Sequence, residues 1–180
     1  MKFCSACGQP VSLRTPDQDT IPRYVCDACG MIHYENPKIV VGCVPEHEGR
    51  ILLCKRAIEP RLGYWTVPAG FMENEETMQE GAARETQEEA LAEVDIGEMF
   101  AVIDVVRARQ VHVMFRATLT GEDYGVGYES LETRLFTEEQ IPWDEIAFPS
   151  VRFALESWLE DRRQGRTGHL HMIAFRRPRL

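Results

Sequence analysis

The 180-residue chain has no run of about 20 apolar residues, the length a helix needs to cross a bilayer, which excludes a membrane-spanning helix. Positive charge is also scarce. Lys and Arg total 20 against 29 Asp and Glu, a formal net charge of −9. A phosphate backbone needs a positive surface, so nucleic acid is not expected as the main partner. No helix-turn-helix signal stands out either. The first residues, MKFCSACGQP, contain no hydrophobic signal region and open directly on a cysteine motif, so a reducing cytoplasm is expected rather than secretion. The rest of the composition, 44% hydrophobic and 27% charged, is that of an ordinary soluble globular protein. Its length allows one domain with a sizeable core plus a small appendage.

Cysteine is present, and its spacing carries information. Cys4-x-x-Cys7 and Cys26-x-x-Cys29 are each followed by glycine, as CSACG and CDACG. Two disulfides or redox CxxC pairs are the other readings. Tandem knuckles across a hairpin-sized segment favour four-thiolate Zn2+, with a structural or dimer-forming role for the ribbon. A segment this short cannot build its own hydrophobic core, and a metal staple explains how it folds. Cys43 and Cys54 lie in apolar, strand-like runs and read as core.

Acidic residues concentrate between Glu73 and Glu93, which hold eight glutamates and one arginine. Within Gly70–Ala92, Asn74 reads as a helix N-cap with Glu75 and Glu76 in the first turn. Met78, Ala82, Ala83, Thr86 and Ala90 make a small-residue face suited to packing on a sheet. Glu80 and Arg84 stand at pairing distance along the helix. Glu85, Glu88 and Glu89 stand at i, i+3 and i+4 and project from one side. Such like-charge pairs cost roughly 0.2–0.5 kcal/mol each. A solvated acidic face is one reading. A hard divalent cation, for which carboxylate oxygen is the preferred ligand, would reverse the sign and is the other.

The flanking residues favour the second reading. Gly70, Glu76 and Arg84-Glu85-x-x-Glu88-Glu89 stand at the offsets of the pattern G-x5-E-x7-R-E-U-x-E-E-x-G-U, where U is bulky and aliphatic. In this the stretch resembles the Nudix box. It departs at Thr86 (first U), Leu91 (the late glycine) and Ala92 (final U). With VCDACGMIHYENPKIVVG, KRAIEPRLGYWTVPAGFMEN and LFTEEQIPWDEIAFPSV, the chain looks like a Nudix subgroup with an N-terminal zinc ribbon, associated with FAD and ADP-ribose pyrophosphatases. The likeness covers most of residues 2–163.

That resemblance implies an α/β fold, the Nudix α/β/α sandwich with a mixed sheet, preceded by a small zinc ribbon. It implies a ribbon at 1–34, a Nudix domain at 35–163 and a basic C-terminal tail at 164–180. Glu85, Glu88, Glu89 and the Gly70 carbonyl would hold Mg2+ or Mn2+, Arg84 would orient the glutamates, and Glu76 would pair with Arg84. Glu129 and Glu132, in the loop GEDYGVGYESLE, are candidates for a further ligand or general base. The implied reaction is hydrolysis of a nucleoside diphosphate linked to another group: a dinucleotide such as FAD, giving FMN and AMP, or ADP-ribose. NADH pyrophosphatase is the alternative, although an SQPWPFP-type motif is missing after the box. A non-catalytic ligand sensor or nucleic-acid adaptor is the reading from another class. A homodimer is expected, since many Nudix pyrophosphatases build their sites between subunits.

Elsewhere, KIVVGCVP and RILLCKRA read as strands joined at Glu48-Gly49, MFAVIDVVRA and QVHVMFRATL as a hairpin, RLFTEEQIPW as a strand and short turn, and VRFALESWLEDRR as an amphipathic helix. Trp65 and Tyr64 are candidates for base stacking or for core packing. After Asp161 the chain has six arginines and no acidic residue, and HLHMIAF has strand character.

Overall fold

The computed structural model describes residues 1–176 and divides into two compact units, residues 1–37 and residues 38–180. The first unit is a three-stranded antiparallel sheet of β1 (Val11–Arg14), β2 (Arg23–Cys26) and β3 (Ile32–His33), in that order. Its four cysteine sulfurs all lie within 4.8 Å of one another. Cys4 and Cys29 Sγ are 3.7 Å apart, and Cys7 and Cys26 Sγ 3.5 Å. A tetrahedron of Zn–S bonds has S···S edges of about 3.8 Å, whereas a disulfide needs about 2.05 Å. The thiols are therefore arranged for a metal.

The second unit is built on one mixed sheet. Its strands are β4 (Lys38–His47), β5 (Arg50–Arg56), β6 (Trp65–Thr66), β7 (Ala69–Phe71), β8 (Val94–Val105), β9 (Gln110–Leu119), β10 (Ser130–Phe136) and β11 (His171–Phe175). The order is β10-β5-β4-β9-β8-β11, with β6 on β5 and β7 on β4. The β4–β9 and β8–β11 pairs are parallel and the others antiparallel.

Alternation along the strands sends successive side chains to opposite faces, and each face meets one helix. Val41, Cys43, Val113, Phe115 and Ala117 pack with Ala82 of α1 (Met78–Ala90). Val44, Leu53, Phe100, Ile103 and Met114 pack with Val151, Leu155, Trp158 and Leu159 of α2 (Pro149–Gln164). The result is the expected α/β/α sandwich. Cys43 and Cys54 are buried in it. Trp65 is 5% exposed and meets the Phe136 ring edge-on at 4.9 Å, so core packing is its role. Among the described residues, no helix is long and apolar enough to cross a membrane.

Local expectations for α1 change at both ends. Its N-cap is Thr77, not Asn74. Thr77 Oγ1 accepts from Glu80 N (3.2 Å) while Glu80 Oε2 accepts from Thr77 N (2.7 Å), a reciprocal capping box that Asn74 cannot make. Glu75 and Glu76 therefore precede the helix, and Glu80 is engaged at the cap rather than with Arg84. At the other end, Leu91 does the work of the missing glycine by adopting the left-handed conformation itself (φ 49°, ψ 32°). The loop that follows β9 helps to hold it there: Gly125 N donates to Ala90 O (2.7 Å) and Gly127 N to Glu89 O (3.1 Å), satisfying terminal helix carbonyls. A Cβ on Gly127 would lie 1.8 Å from Glu88 O, so only glycine lets the loop approach this closely.

The other departures from the pattern are also accommodated. Thr86 is fully buried, and its hydroxyl donates to Ala82 O (2.8 Å) beside Cys43 Sγ (3.1 Å). Ala92 packs with Leu52, Cys54, Ala90 and Leu119. In the C-terminal segment, residues 171–175 form β11 on the sheet. The last part of the basic tail, residues 177–180, lies outside the described residues.

Candidate active site

Gly70 sits on β7, whose backbone passes alongside α1. A Cβ there would come within 2.2–2.3 Å of the Glu85 carboxylate, so the missing side chain makes the room that this carboxylate occupies. Arg84, one residue earlier, gathers the neighbours. Its Nε and Nη2 grip both oxygens of Glu76 at 2.9 Å, its Nη1 reaches Glu85 Oε1 (2.8 Å) and Glu88 Oε2 (3.4 Å), and its Nη2 donates to Phe71 O (3.2 Å). Glu73 N also donates to Glu76 Oε1 (2.7 Å), so the arginine is clamped from a fixed loop. Glu89, 6% exposed, accepts from Ala69 N at 3.3 Å.

These side chains line a cavity of about 710 Å3 within the second unit, a volume in the range of ligand pockets. Gly70, Arg84, Glu85, Glu88 and Glu89 all line it, and Glu129 joins them from the loop before β10. Glu132 does not line it. The β10–β5 register shifts between Ser130 and Glu132, leaving Glu132 exposed opposite Lys55. Glu76 also stands outside the lining and acts on it through Arg84.

The carboxylates are poorly compensated. Burial is the main cause that raises Glu85, against the pull of Arg84. Burial and then the Glu85 charge push Glu89 up to about 8, despite the Ala69 amide and the Arg56 charge. Glu76 moves down, led by its hydrogen bonds from Arg84. Desolvated carboxylates converging on one cavity form a donor set for a hard divalent cation.

Sequence reasoning missed several lining residues: Arg56, His112, Tyr128, Phe148 and Phe175. His112 is held neutral by burial, which lowers it to about 4, and its Nε2 lies 3.0 Å from Gln110 Oε1. Arg56, His112 and Phe175 are brought in by strand pairing, Phe148 by docking of α2, and Tyr128 by the turn that carries Glu129. Phe148, next to the helix-starting Pro149, is the nearest to a sequence signal.

A mixed sheet lies between two helices, and the acidic residues of one of them converge on a single cavity. The comparisons agree. Residues 2–35 match the family model described as Nudix N-terminal, and residues 36–162 match the NUDIX domain model. A NUDIX hydrolase from Nitrosomonas europaea, solved by crystallography, is 52% identical, with a TM-score of 0.94 over 97% of this chain and 99% of that one. An ADP-ribose pyrophosphatase from Methanocaldococcus jannaschii is 26% identical over 113 residues, 61% of this chain and 67% of that protein. A NAD-capped RNA hydrolase from Stutzerimonas stutzeri is 26% identical over 168 residues, 92% of this chain and 58% of that protein. The chain thus spans between 58% and 67% of the first curated relatives it matches. It belongs to the Nudix hydrolase family, with an N-terminal zinc ribbon.

Proposed function

We propose that the protein is a divalent-cation-dependent pyrophosphatase that hydrolyses a nucleoside diphosphate linked to another group, with a dinucleotide such as FAD or the related ADP-ribose as substrate. The observation that carries this reading is the convergence of Glu85, Glu88, Glu89 and Glu129 on one cavity, with Glu85 and Glu89 desolvated. Charged carboxylates in that setting are unfavourable alone and favourable around a cation. Glu85, Glu88, Glu89 and the Gly70 carbonyl would hold Mg2+ or Mn2+, and the four ribbon cysteines, whose sulfurs lie within 4.8 Å of one another, would hold Zn2+. When bound, the catalytic cation would neutralise diphosphate charge, polarise phosphorus and lower the pKa of water.

The protein's own groups do the rest. Arg84 Nη1 bridges Glu85 and Glu88 at the cavity wall, and Glu76 fixes Arg84 by a two-point grip. Glu129 lines the same cavity as the helix carboxylates, which supports a role for it in taking the proton from the attacking water. Glu132, turned to solvent, has no such position.

A second reading, NADH-type dinucleotides, is favoured by the NAD-capped RNA hydrolase relative, whose likeness extends over 92% of this chain. All the box glutamates line or support the cavity, which favours turnover over ligand sensing. The test is hydrolysis of FAD, NADH and ADP-ribose with Mg2+ or Mn2+, following release of AMP, FMN and nicotinamide mononucleotide. Metal-dependent AMP release from FAD or ADP-ribose is expected. Tight binding without hydrolysis of any of them would replace the enzyme with a sensor.

A further inference from the structure

The Nudix-domain match ends at residue 162, yet the chain beyond it helps to wall the cavity. The contributing residue is Phe175. Its strand, β11, runs parallel to β8 at the sheet edge, with Phe175 opposite Val105, which in turn stands opposite Gln110 on β9. These three residues lie in one row across the sheet, and all line the cavity. Phe148, at the start of α2, lines it as well, and both phenylalanines pack on the large core. The Arg56 guanidinium sits 5.1 Å over the Phe148 ring. The cavity therefore carries, besides its carboxylates, an apolar aromatic stretch of lining beside the Gln110–His112 pair.

The strand that brings Phe175 there is held by a cluster the chemistry does not use. Asp161, fully buried near the end of α2, accepts from Arg116 Nη2 at 2.6 Å and lies 2.9 Å from His171 Nε2, the first residue of β11. Arg166 Nε lies 3.0 Å from the other carboxylate oxygen, within ion-pair range but poorly aligned for a hydrogen bond. Arg166 N donates to Asp161 O (2.8 Å), and the His169 ring meets His171 edge-on at 4.4 Å. The carboxylate thus joins α2, β9 and the start of β11, and so sets where Phe175 stands four residues later.

We propose that Phe175 is a specificity-determining residue that, with Phe148, receives the planar aromatic base of the substrate, and that Asp161 is the positioning residue for its strand. This rests on the reading that the carboxylates take the diphosphate. An aromatic ring suits a base because every base offers a π-face for stacking and an apolar body to bury.

The experiment is equilibrium titration of the Mg2+-loaded full chain with ADP and with methylenediphosphonate, which keeps the diphosphate charge and lacks a base. Phe175→Ala should weaken ADP about tenfold or more while methylenediphosphonate stays within about twofold, as loss of base stacking requires. Phe175→Tyr should restore ADP binding. Asp161→Asn should raise KM for the hydrolysed dinucleotide much more than it lowers kcat, a split that general destabilisation would not produce. Unchanged ADP binding in Phe175→Ala, or equal weakening of both ligands, overturns the proposal. If Phe175→Ala does not fold, Phe175→Leu, which keeps apolar bulk without a ring, decides on the same criterion. Absence of hydrolysis with a selective loss of ADP binding would sink the pyrophosphatase reading alone. Hydrolysis without that selectivity would sink the base site alone.

Discussion

Two buried carboxylate sites in the same domain behave in opposite ways. At the cavity, burial pushes Glu85 and Glu89 up, and Arg84 shares its donors between Glu85 and a two-point grip on Glu76. At the back of α2, burial would likewise raise Asp161, but His171, Arg116 and Arg166 outweigh it and hold the carboxyl below its usual range. The first site is left short of positive charge and the second is supplied with it by the chain. The difference separates the proposed cation site from a carboxylate whose charge the chain itself balances. Burial alone does not distinguish them; the local charge balance does.

The largest effect expected from breaking this contrast is on turnover. Glu85→Gln or Glu89→Gln should lower kcat by about 100-fold or more. The circular dichroism spectrum should stay that of the wild type. Near wild-type kcat in both variants would remove the metal-site reading.

At the Asp161 site the loss should fall on stability instead. Asp161→Ala leaves its cationic partners without their carboxylate, and breaking a buried pair from one side costs on the order of 3 kcal/mol. Urea denaturation monitored on the second unit measures this, and a shift under about 0.5 kcal/mol, the range of ordinary surface substitutions, would refute a structural role for the Asp161 cluster.

The two sites should also show opposite pH dependence. Glu89 binds its proton more tightly folded than unfolded, so in chelator-treated protein its contribution is complete below about 4.5 and is lost as pH rises towards about 8. Asp161 has the reverse sign: its contribution is present above its ordinary value of 3.8 and is lost as pH falls through its lower folded value. Urea midpoints measured from pH 3 to pH 9 should therefore fall on both sides of a maximum. Glu89→Gln should flatten the alkaline side only, and an unchanged alkaline slope in that variant would contradict the assignment.

The smallest expected effect is at the end of the catalytic helix. Leu91 holds a left-handed conformation that costs a non-glycine residue roughly 1 kcal/mol, and it is 51% exposed, so little burial is lost on its removal. Leu91→Gly should raise the thermal midpoint by about 2–4 °C. A lowered midpoint would show that Leu91 packing on Gly125 matters more than backbone strain.

Much of this architecture was legible locally. The β4–β5 and β8–β9 hairpins, α2 and the small-residue face of α1 follow from alternation, turn residues and helical spacing. The N-terminus of α1 was misplaced because Asn74 is a good cap by residue type, whereas Thr77 wins through its reciprocal partner Glu80. Trp65 offered two readings, and only the Phe136 ring against it chose between them.

By itself, the sequence determined that Glu85, Glu88 and Glu89 share one side of a helix and that four thiols come in two knuckles. Those relations depend on the repeat of a helix and the closure of short turns, which are set within a few residues. Only the tertiary structure decided that Glu129 and not Glu132 meets the glutamates, and that Arg56, Phe148 and Phe175 line the same cavity. It alone gathered Arg116, Arg166 and His171 around Asp161. These choices depend on strand register and on which face of the sheet a side chain takes. A shift of one residue reverses that face, and the register is settled by partners distant in the chain.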